Sequence, residues 1–480
     1  MVTKGKRILT GLVMMAMSAG AVLVVDIVSG PASAKAQAGT SLTEPVPPVI
    51  DEARQGRTRD LIGWNHAKRR LKADMPMGRG IPIGQVEGDA DKGYIANTND
   101  QQMPGTGFIP EAGKSKLSNH ATAVARRMVG PQSAGQGVRA VHAWPVTEWL
   151  GEGYLNHGST DDPRDDHPAR VFNHSWIAPS SPAAPLILRR IDYAVDTNDI
   201  LVVAGVNNQV GEIPHLLASG YNSITVGTPG GKHSDGLTAI EGEGRAKPEI
   251  VAPGNLTSYT TGIVTGVCAA LLEYADRLAE ADEADKDAAR SEVIKAVLFA
   301  GAYRGANWSP PEGEPLDRKL GSGQVDIDRA LVILDGGHAE PDKPTNQRYG
   351  WSFADIEPGK ARNYTFTVDA EQGETGIALV WHRRVRGGTV KLVNEATGES
   401  RDIWNPSTFV PNLNLGLVKT NADGSETMIA ASTSEVDNVE LIHLPKLEPG
   451  KYTLRVTRSK DNADMPWDYA LAWRIEVNAQ

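Results

Sequence analysis

The sequence predicts a protein of two folded parts: an α/β domain built on a parallel sheet flanked by helices, then an all-β jelly-roll or sandwich domain. Two patterns predict this division. Between residues 80 and 335, short apolar runs of strand length alternate with segments whose apolar residues recur every three or four positions, which is typical of α/β domains. Beyond residue 345, apolar residues recur at every second position in about eight segments, which is typical of β-sandwiches.

Length and charge limit the classes of protein to consider. The chain has 480 residues, which is enough for two or three domains, and a formal net charge of −10 at pH 7. A net negative charge disfavours nucleic acid as a partner. Cys268 is the one cysteine of the sequence, so no disulfide can form within the chain.

The N-terminus is typical of an export signal. Lys4, Lys6 and Arg7 precede an apolar run over residues 8–25, and P-A-S-A at residues 31–34 is a cleavage signal. We therefore expect a signal peptide over residues 1–34 and a mature protein that is secreted or periplasmic, without membrane attachment. The apolar run is also long enough for an uncleaved anchor, and this alternative stays open.

A segment rich in proline and charge, residues 35–79, follows the signal and is predicted to be irregular, with one short helix around residues 61–71. The α/β domain is predicted over residues 80–335. Its predicted strands cover residues 80–88, 138–143, 171–177, 200–206 and 222–227. Its predicted helices begin near Ser118, cover residues 187–196, begin near Ser258, and cover residues 291–300.

Residues 255–272 predict a helix with a reactive group at its start. The segment opens with polar residues and then becomes apolar at helical spacing, so a helix begins near Ser258 and buries one face. A serine in the first turn lies beside amides that have no partner within the helix, where developing negative charge is stabilised. The structural alternative is that Ser258 is an N-cap.

Four polar side chains fall at strand ends or helix starts: Glu87, His120, Asn208 and Ser258. Ligands of open α/β sheets bind beyond the carboxyl ends of the strands, so we expect these four side chains to converge. They are the parts of an acyl-transfer site: a hydroxyl nucleophile, an imidazole base, a carboxylate that orients the imidazole, and an amide. The amide and the backbone N–H of Ser258 would bind the oxyanion.

The strings around these residues resemble the motifs of the subtilisin-like serine proteases, the subtilases. Carboxylate, histidine and serine follow one another in the order of subtilisin. S-N-H-A-T-A-V-A at residues 118–125 resembles the histidine motif of the family, and L-T-S-Y-T-T-G at residues 256–262 resembles its serine motif. Further matches are K-P-E-I-V-A-P-G at 247–254, V-V-A-G-V-N-N at 202–208, V-F-N-H-S-W at 171–176 and L-G-S-G-Q-V-D at 320–326.

The resemblance implies a subtilisin-like fold and a serine endopeptidase that acts on protein or peptide substrates and requires no cofactor. It makes Ser258 the nucleophile, His120 the base, Glu87 the acid and Asn208 the side-chain donor to the oxyanion. Two other functions stay open. One is a subtilase fold kept for binding after loss of activity, and the other is an esterase or amidase on the same site.

The string at residues 171–176 resembles the strand that pairs with substrate, which implies substrate contacts at Asn173, Ser175 and Trp176. The substrate would lie as an added strand along residues 173–177. Trp176 and Ile177 replace small residues that flank the specificity pocket of the family, so we expect a narrowed pocket.

The motifs depart from the family at several positions. Glu87 stands where the family has aspartate, and Asp89, two residues further on, is the alternative acid. Leu256 replaces a glycine whose backbone lies close to bound substrate in the family, and Gly262 replaces a proline. Leu256 is the departure that we expect to affect activity most.

No metal site is assigned from the sequence. Family members often bind calcium, but the sequence contains no convincing ligand set. Asp161, Asp162, Asp165 and Asp166 lie in one predicted loop, which is either a calcium loop or, more often for such a cluster, a solvated loop. The oligomeric state is not predicted.

Residues 336–345 are rich in glycine, proline and charge and are predicted to be a linker to the C-terminal β-sandwich domain, residues 346–480. In that domain Tyr452, Leu454 and Val456 alternate with polar residues, as in a half-buried strand. Residues 437–456 resemble β-sandwich modules that follow the catalytic domain of secreted bacterial peptidases. Such a module serves either in packing or in attachment to substrates and surfaces, and both roles stay open.

Overall fold

The computed structural model describes residues 52–88, 93–113, 116–179, 181–213, 216–345, 347–393, 399–460 and 465–477. The predicted signal peptide, residues 1–34, and the alternative acid Asp89 lie outside the described residues. Among the described helices, none combines the length and the apolar character that a bilayer crossing requires.

A seven-stranded parallel sheet forms the centre of the first part, in the order β2-β3-β1-β4-β5-β6-β9. The strands are β1 (Ile83–Glu87), β2 (Gly107–Pro110), β3 (Ala140–Pro145), β4 (Val171–His174), β5 (Leu201–Gly205), β6 (Ile224–Gly227), β7 (Gly236–Leu237), β8 (Ala246–Lys247) and β9 (Ile250–Val251), with β7 and β8 forming a separate pair. All five predicted strands are present. The edge strand β2 is not among the predicted strands, because only one of its four residues is buried and it lacks an apolar run.

Helices cover both faces of this sheet. They are α1 (Glu52–Leu61), α2 (Trp64–Leu71), α3 (Asn119–Val129), α4 (Val146–Leu150), α5 (Ala184–Asn198), α6 (Thr257–Ala281), α7 (Ser291–Gly301) and α8 (Ile327–Asp335). The apolar residues of α3 and α6 share a core with one face of the sheet, and those of α4 and α5 share a second core with the other face. The four predicted helices of the domain correspond to α3, α5, α6 and α7.

The segment before the domain is more regular than predicted. The predicted short helix corresponds to α2, where Trp64 and Ala67 are buried in the main core. Helix α1 was missed because its sequence, E-A-R-Q-G-R-T-R-D-L, carries no apolar stripe from which a helix could be predicted.

Helices α3 and α6 cross at close range, and two glycines allow this. A Cβ atom added at Gly266 would lie 2.6 Å from the carbonyl oxygen of Met128, and one at Gly262 would lie 3.1 Å from that of Val124. Each glycine costs about 1 kcal/mol of helix propensity relative to alanine. The close crossing offsets this cost, and it fixes the helix that carries His120 against the helix that carries Ser258.

The C-terminal part is a sandwich of two four-stranded antiparallel sheets, β10-β21-β12-β19 and β11-β20-β17-β18. Its strands are β10 (Tyr349–Ile356), β11 (Ala361–Val368), β12 (Gln372–Val380), β13 (Arg384–Arg386), β14 (Thr389–Val393), β15 (Ser400–Trp404), β16 (Ser407–Phe409), β17 (Leu413–Thr420), β18 (Glu426–Ser432), β19 (Val439–Leu444), β20 (Gly450–Arg458) and β21 (Trp467–Val477). Counted along the chain, the sandwich strands lie in the orders 1-8-3-6 and 2-7-4-5, so the predicted jelly roll is confirmed. The short strands β13 to β16 form an arm between β12 and β17.

The two parts share one hydrophobic core. Trp351, Ala378 and Ala472 of the sandwich belong to the same cluster as the buried residues of α7. Within residues 336–345, predicted as a linker, Ala339 packs against the sandwich: it is 5% exposed and its N–H donates to the Trp351 carbonyl at 2.8 Å, while Glu340 and residues 342–344 are exposed. The packing role of the sandwich therefore has direct structural support.

Buried ion pairs fix the orientation of the sandwich. Arg383, which precedes the arm, donates from Nε to Asp192 at 2.7 Å and from Nη1 to Glu241 at 2.7 Å. A hydrogen bond adds to these ion pairs, since Trp404 at the end of β15 donates from Nε1 to the exposed Asp162 at 2.8 Å. Removing one partner of a buried pair is costly because the other charge stays buried, so these pairs select one docking geometry.

Glu440 is a buried carboxyl group of the sandwich with a testable pH signature. Its Oε1 accepts the N–H of Ser434 at 2.6 Å, and burial raises its pKa from 4.5 to about 9. Between these pH values the native state holds a proton that the unfolded chain has released, so stability falls as the pH rises through this window.

Glu440→Gln does not titrate, so we expect the variant to be about 3 kcal/mol more stable than the parent at pH 7 and about equal to it near pH 4. Urea unfolding at the two pH values measures this difference. A stability difference that is the same at both pH values would contradict the raised pKa.

Candidate active site

The predicted site residues lie at one edge of the parallel sheet. Glu87 is the last residue of β1, and Asn208 follows the end of β5 by three residues. His120 is the second residue of α3, and Ser258 is the second residue of α6, which follows β9 after a short connection. The carboxyl ends of parallel strands meet at the same edge, so the sheet gathers groups that are far apart in the sequence.

Glu87 and His120 are in direct contact. The Oε2 atom of Glu87 lies 2.6 Å from Nδ1 of His120. Glu87 is 1% exposed and the side chain of His120 is 14% exposed. A carboxylate on Nδ1 holds the ring proton there and leaves Nε2 with the lone pair that a general base needs.

Gln85 holds the other oxygen of Glu87, and sequence reasoning missed it. Its Nε2 atom donates to Glu87 Oε1 at 2.8 Å and to the carbonyl of Ala121 at 2.9 Å. Gln85 is fully buried and lies two residues before Glu87, on the same face of β1. This period of two is the signal that could have identified it. These two bonds of Gln85 restrain the longer side chain that glutamate has compared with aspartate.

Ser258 is buried in the first turn of α6. The N-cap of this helix is Leu256, whose own side chain makes no cap hydrogen bond, so the alternative that Ser258 is an N-cap is wrong. The Ser258 hydroxyl donates to the carbonyl of Ser175 at 3.3 Å. Its own N–H belongs to the first-turn amides, which have no carbonyl partner within the helix.

Asn208 is held at the first turn of α6 by its side-chain oxygen, and its side-chain NH₂ group takes no part in these bonds. Its Oδ1 atom accepts the N–H of Thr257 at 2.6 Å and the Thr257 hydroxyl at 3.1 Å. Its Nδ2 group is buried and has no hydrogen-bond partner within the described part of the chain. The Nδ2 group of Asn208 is therefore a buried donor without an acceptor among the described residues, at the helix turn that holds the N–H of Ser258. An oxyanion would satisfy both donors.

The departure at Leu256 causes no backbone strain. Its φ of −131° and ψ of 132° are ordinary extended values that any residue adopts. The glycine that the family motif has at this position is therefore not required by the backbone conformation here.

Trp176 does not have the predicted position in a specificity pocket. It is 4% exposed and packs into the core between the sheet and helices α4 and α5, where its Nε1 donates to Nδ1 of His174 at 3.2 Å. Burial lowers the pKa of His174 to about 3, so this imidazole is neutral and accepts the bond. Two expectations are therefore corrected. Because the Trp176 ring is buried in the core, it neither narrows the pocket nor contacts substrate.

Asn173 and Ser175 have supporting positions. Asn173 pairs on both sides within the sheet, and its fully buried side chain donates to Thr265 of α6 at 3.0 Å. The Ser175 hydroxyl lies 2.9 Å from Asn173 Oδ1 and 2.9 Å from the Ser258 carbonyl. A substrate strand therefore has no free backbone at Asn173, and the segment available for pairing narrows to residues 175–177.

Two groups of side chains within the described residues have three candidate metal-ligand atoms within 4.8 Å of one another. In the first, Glu111, His142 and His167, the N–H of Ala169 donates to Nδ1 of His167 at 3.1 Å. The ring proton of His167 therefore lies on Nε2, which faces Glu111 at 3.6 Å and offers no lone pair to a metal. Hydrogen bonding accounts for this cluster.

The second group is Asp196, Glu292 and His382, at the junction with the sandwich. Burial lowers the pKa of His382, but Glu292 and Asp196 outweigh burial, so the net pKa is raised. The Nδ1 atom of His382 lies 3.1 Å from Glu292 and 3.4 Å from Asp196, so contacts within the group account for its arrangement. We assign no metal site to either group.

A comparison with protein-family models finds one match, to the Subtilase family, over residues 91–351, which is more than half of the chain. The matched range includes His120, Asn208 and Ser258 and begins four residues after Glu87. The comparison with curated protein sequences finds no match.

Several solved structures are similar at low identity. The patellamide maturation protease PatA is 17% identical over 54% of this chain and 98% of its own, with a TM-score of 0.36. MycP1 from the ESX-1 type VII secretion system is 16% identical over 57% of this chain and 84% of its own, with a TM-score of 0.36. Tripeptidyl peptidase 2 is 13% identical over 74% of this chain and 40% of its own, with a TM-score of 0.32. These low values carry no information about the substrate of this chain.

Proposed function

The chain belongs to the subtilase family of serine peptidases, and from this premise we propose that it is an exported serine endopeptidase with a Glu-His-Ser triad. The observation that carries the proposal is the buried Glu87–His120 pair at 2.6 Å, at the sheet edge where Ser258 begins α6. A fluorophosphonate that modifies Ser258 in the purified protein and stops cleavage of casein would be the direct test.

The proposed reaction is acyl transfer in two steps. His120 takes the proton of the Ser258 hydroxyl as that oxygen attacks the scissile carbonyl, and the oxygen of the carbonyl becomes an oxyanion. Nδ2 of Asn208 and the N–H of Ser258 bind the oxyanion. His120 then donates the proton to the leaving amine, and water hydrolyses the acyl-enzyme by the same route in reverse.

The acyl side of the substrate is proposed to pair with residues 175–177. The carbonyl of Ser175 now accepts the Ser258 hydroxyl at 3.3 Å. An N–H group of an added substrate strand would compete for this carbonyl. Its arrival would therefore free the hydroxyl to rotate toward His120, so substrate pairing and activation of the nucleophile are linked.

Asn208→Ala and Asn208→Asp test the oxyanion role. Both remove the Nδ2 donor, and the aspartate keeps the oxygen that accepts from Thr257. We expect either variant to lower kcat by about 10²- to 10³-fold with little change in KM, because the bond forms in the transition state.

Asn207→Ala is the matched control, since Asn207 is the adjacent asparagine and its side-chain oxygen accepts from Gln209 instead. We expect it to keep the parental kcat. An unchanged kcat in both Asn208 variants would exclude this residue from the oxyanion site.

Export is proposed from the basic and apolar N-terminal residues. N-terminal sequencing of the protein recovered from outside the cytoplasm should begin at Lys35. A protein retained in the membrane with its first 34 residues intact would support an uncleaved anchor instead.

A further inference from the structure

A cavity of about 340 Å³ lies beside the nucleophile helix. Helix α1 contributes Arg57 and Leu61, and α3 contributes Arg126 and Arg127. The loop before α6 and its first turns contribute residues 253–255, Tyr259 and Ile263. The segment that precedes the predicted domain therefore forms one wall of a cavity whose opposite wall adjoins Ser258.

The lining is cationic. Its charged residues are three arginines, and no lining residue is acidic. Arg126 donates from Nε and Nη2 to the carboxylate of Asp100, while its Nη1 is buried and has no hydrogen-bond partner among the described residues. The Arg127 guanidinium lies 4.5 Å over the ring of Tyr259, which follows the nucleophile. Arg126 is already paired with Asp100, so the guanidinium groups that the cavity offers to a ligand are those of Arg57 and Arg127. Two cations in a partly apolar cavity without a lining carboxylate favour an anion with planar oxygens, such as a carboxylate.

The helix that carries His120 near its start, α3, also carries two of the arginines of the cavity. His120 gives its proton to the leaving amine, so the leaving group departs along the side where α3 lies. Arg127 follows His120 by seven residues on α3, which places it on the same helix face about 10 Å further along. That distance corresponds to about three residues of extended peptide.

We propose that this cavity binds a carboxylate in the leaving-group part of the substrate, either an acidic side chain two or three residues after the scissile bond or the C-terminal carboxylate of a short peptide. The inference rests on the proposed peptidase function and adds a substrate class to it. Apolar lining from Leu61 and Ile263 lowers the local dielectric, which strengthens the attraction between the arginines and a carboxylate.

The first experiment is cleavage of a proteome-derived peptide library, with the cut sites read by mass spectrometry. The wild-type protein should prefer Asp or Glu at the second or third residue after the cut by about tenfold over neutral residues, which matches one charge-assisted hydrogen bond. Cleavage without an acidic preference would overturn this inference alone. Absence of cleavage would overturn the proposed function and, with it, this inference.

The second experiment compares the variants Arg57→Gln and Arg127→Gln on one pair of fluorogenic peptides, with Glu or Gln at the preferred position. The ratio of kcat/KM for the two peptides should fall toward one in both variants. Arg69→Gln, an exposed arginine of α2 that does not line the cavity, is the control and should keep the wild-type ratio. An unchanged ratio in both cavity variants would refute the site.

The same peptides made with a free C-terminal carboxylate or a C-terminal amide separate the two sources of the anion. If the peptides with a free C-terminal carboxylate are cleaved faster than those with a C-terminal amide, the cavity binds peptide C-termini. A preference that follows the Glu side chain assigns it to internal acidic residues.

Discussion

Ser258→Ala is expected to lower kcat by about 10⁴- to 10⁶-fold, the range found when the nucleophile of a triad is removed. The physical reason is that no other group within the first turn of α6 can form the acyl-enzyme from this position. The structure supports a folded variant, since the bond that the Ser258 hydroxyl makes within the described part of the chain is to the Ser175 carbonyl at 3.3 Å, and losing it costs little stability.

Casein cleavage and fluorophosphonate labelling measure this effect on the same samples. Ser425→Ala, in the turn between β17 and β18 of the sandwich, is the control and should keep both activities. A folded wild-type protein that is neither labelled nor hydrolytic would favour a subtilase fold kept for binding. Labelling with hydrolysis of small esters, but no peptide cleavage, would favour the esterase or amidase function.

Glu87→Gln is expected to lower kcat by about 10³- to 10⁴-fold while the fold stays intact. The carboxylate accepts the Nδ1 proton of His120 and stabilises the imidazolium that forms during attack. The amide of glutamine is neutral, and its NH₂ group can donate to Nδ1, which would move the ring proton to Nε2 and block the base. Steady-state kinetics should show the loss in kcat and not in KM.

Asp89→Asn is the matched comparison, because Asp89 is the alternative acid of the sequence. We expect this variant to keep kcat within about twofold, because Glu87 is the acid of the proposed triad. The opposite pattern, a large loss in Asp89→Asn and a small one in Glu87→Gln, would transfer the acid role to Asp89.

Gln85 and Glu87 show which parts of the site could be predicted from the sequence and which could not. The strand that carries both residues was predicted from its apolar run, and Glu87 was selected because it ends that strand. Gln85 is absent from the predicted site residues, because an amide inside a strand does not by itself indicate a role in a site. Its role became visible when the distance to Glu87 Oε1, 2.8 Å, and the second bond to Ala121 were known.

Trp176 illustrates the opposite case. Its position beside the substrate strand suggested a narrowed pocket. A motif specifies where a residue lies along the chain, but it does not specify where the side chain is buried. The alternation of the strand turns this side chain to the face covered by α4 and α5, where it is buried. Whether a side chain on that face is buried depends on the helices that cover it, and the packing of the helices decides this.

The sequence by itself determined the main strands and helices of the α/β domain, the chemical groups of the candidate site and the alternating strands of the sandwich. These features depend on the period of apolar residues and on short strings, which are local properties of the chain. The tertiary structure alone decided the bond from Gln85 to the Ala121 carbonyl, the cationic cavity walled by α1 and the core shared by the two parts. Each of these joins residues that are far apart along the chain or turned by packing, as Arg383 and Asp192 are, and local patterns carry no information about such partners.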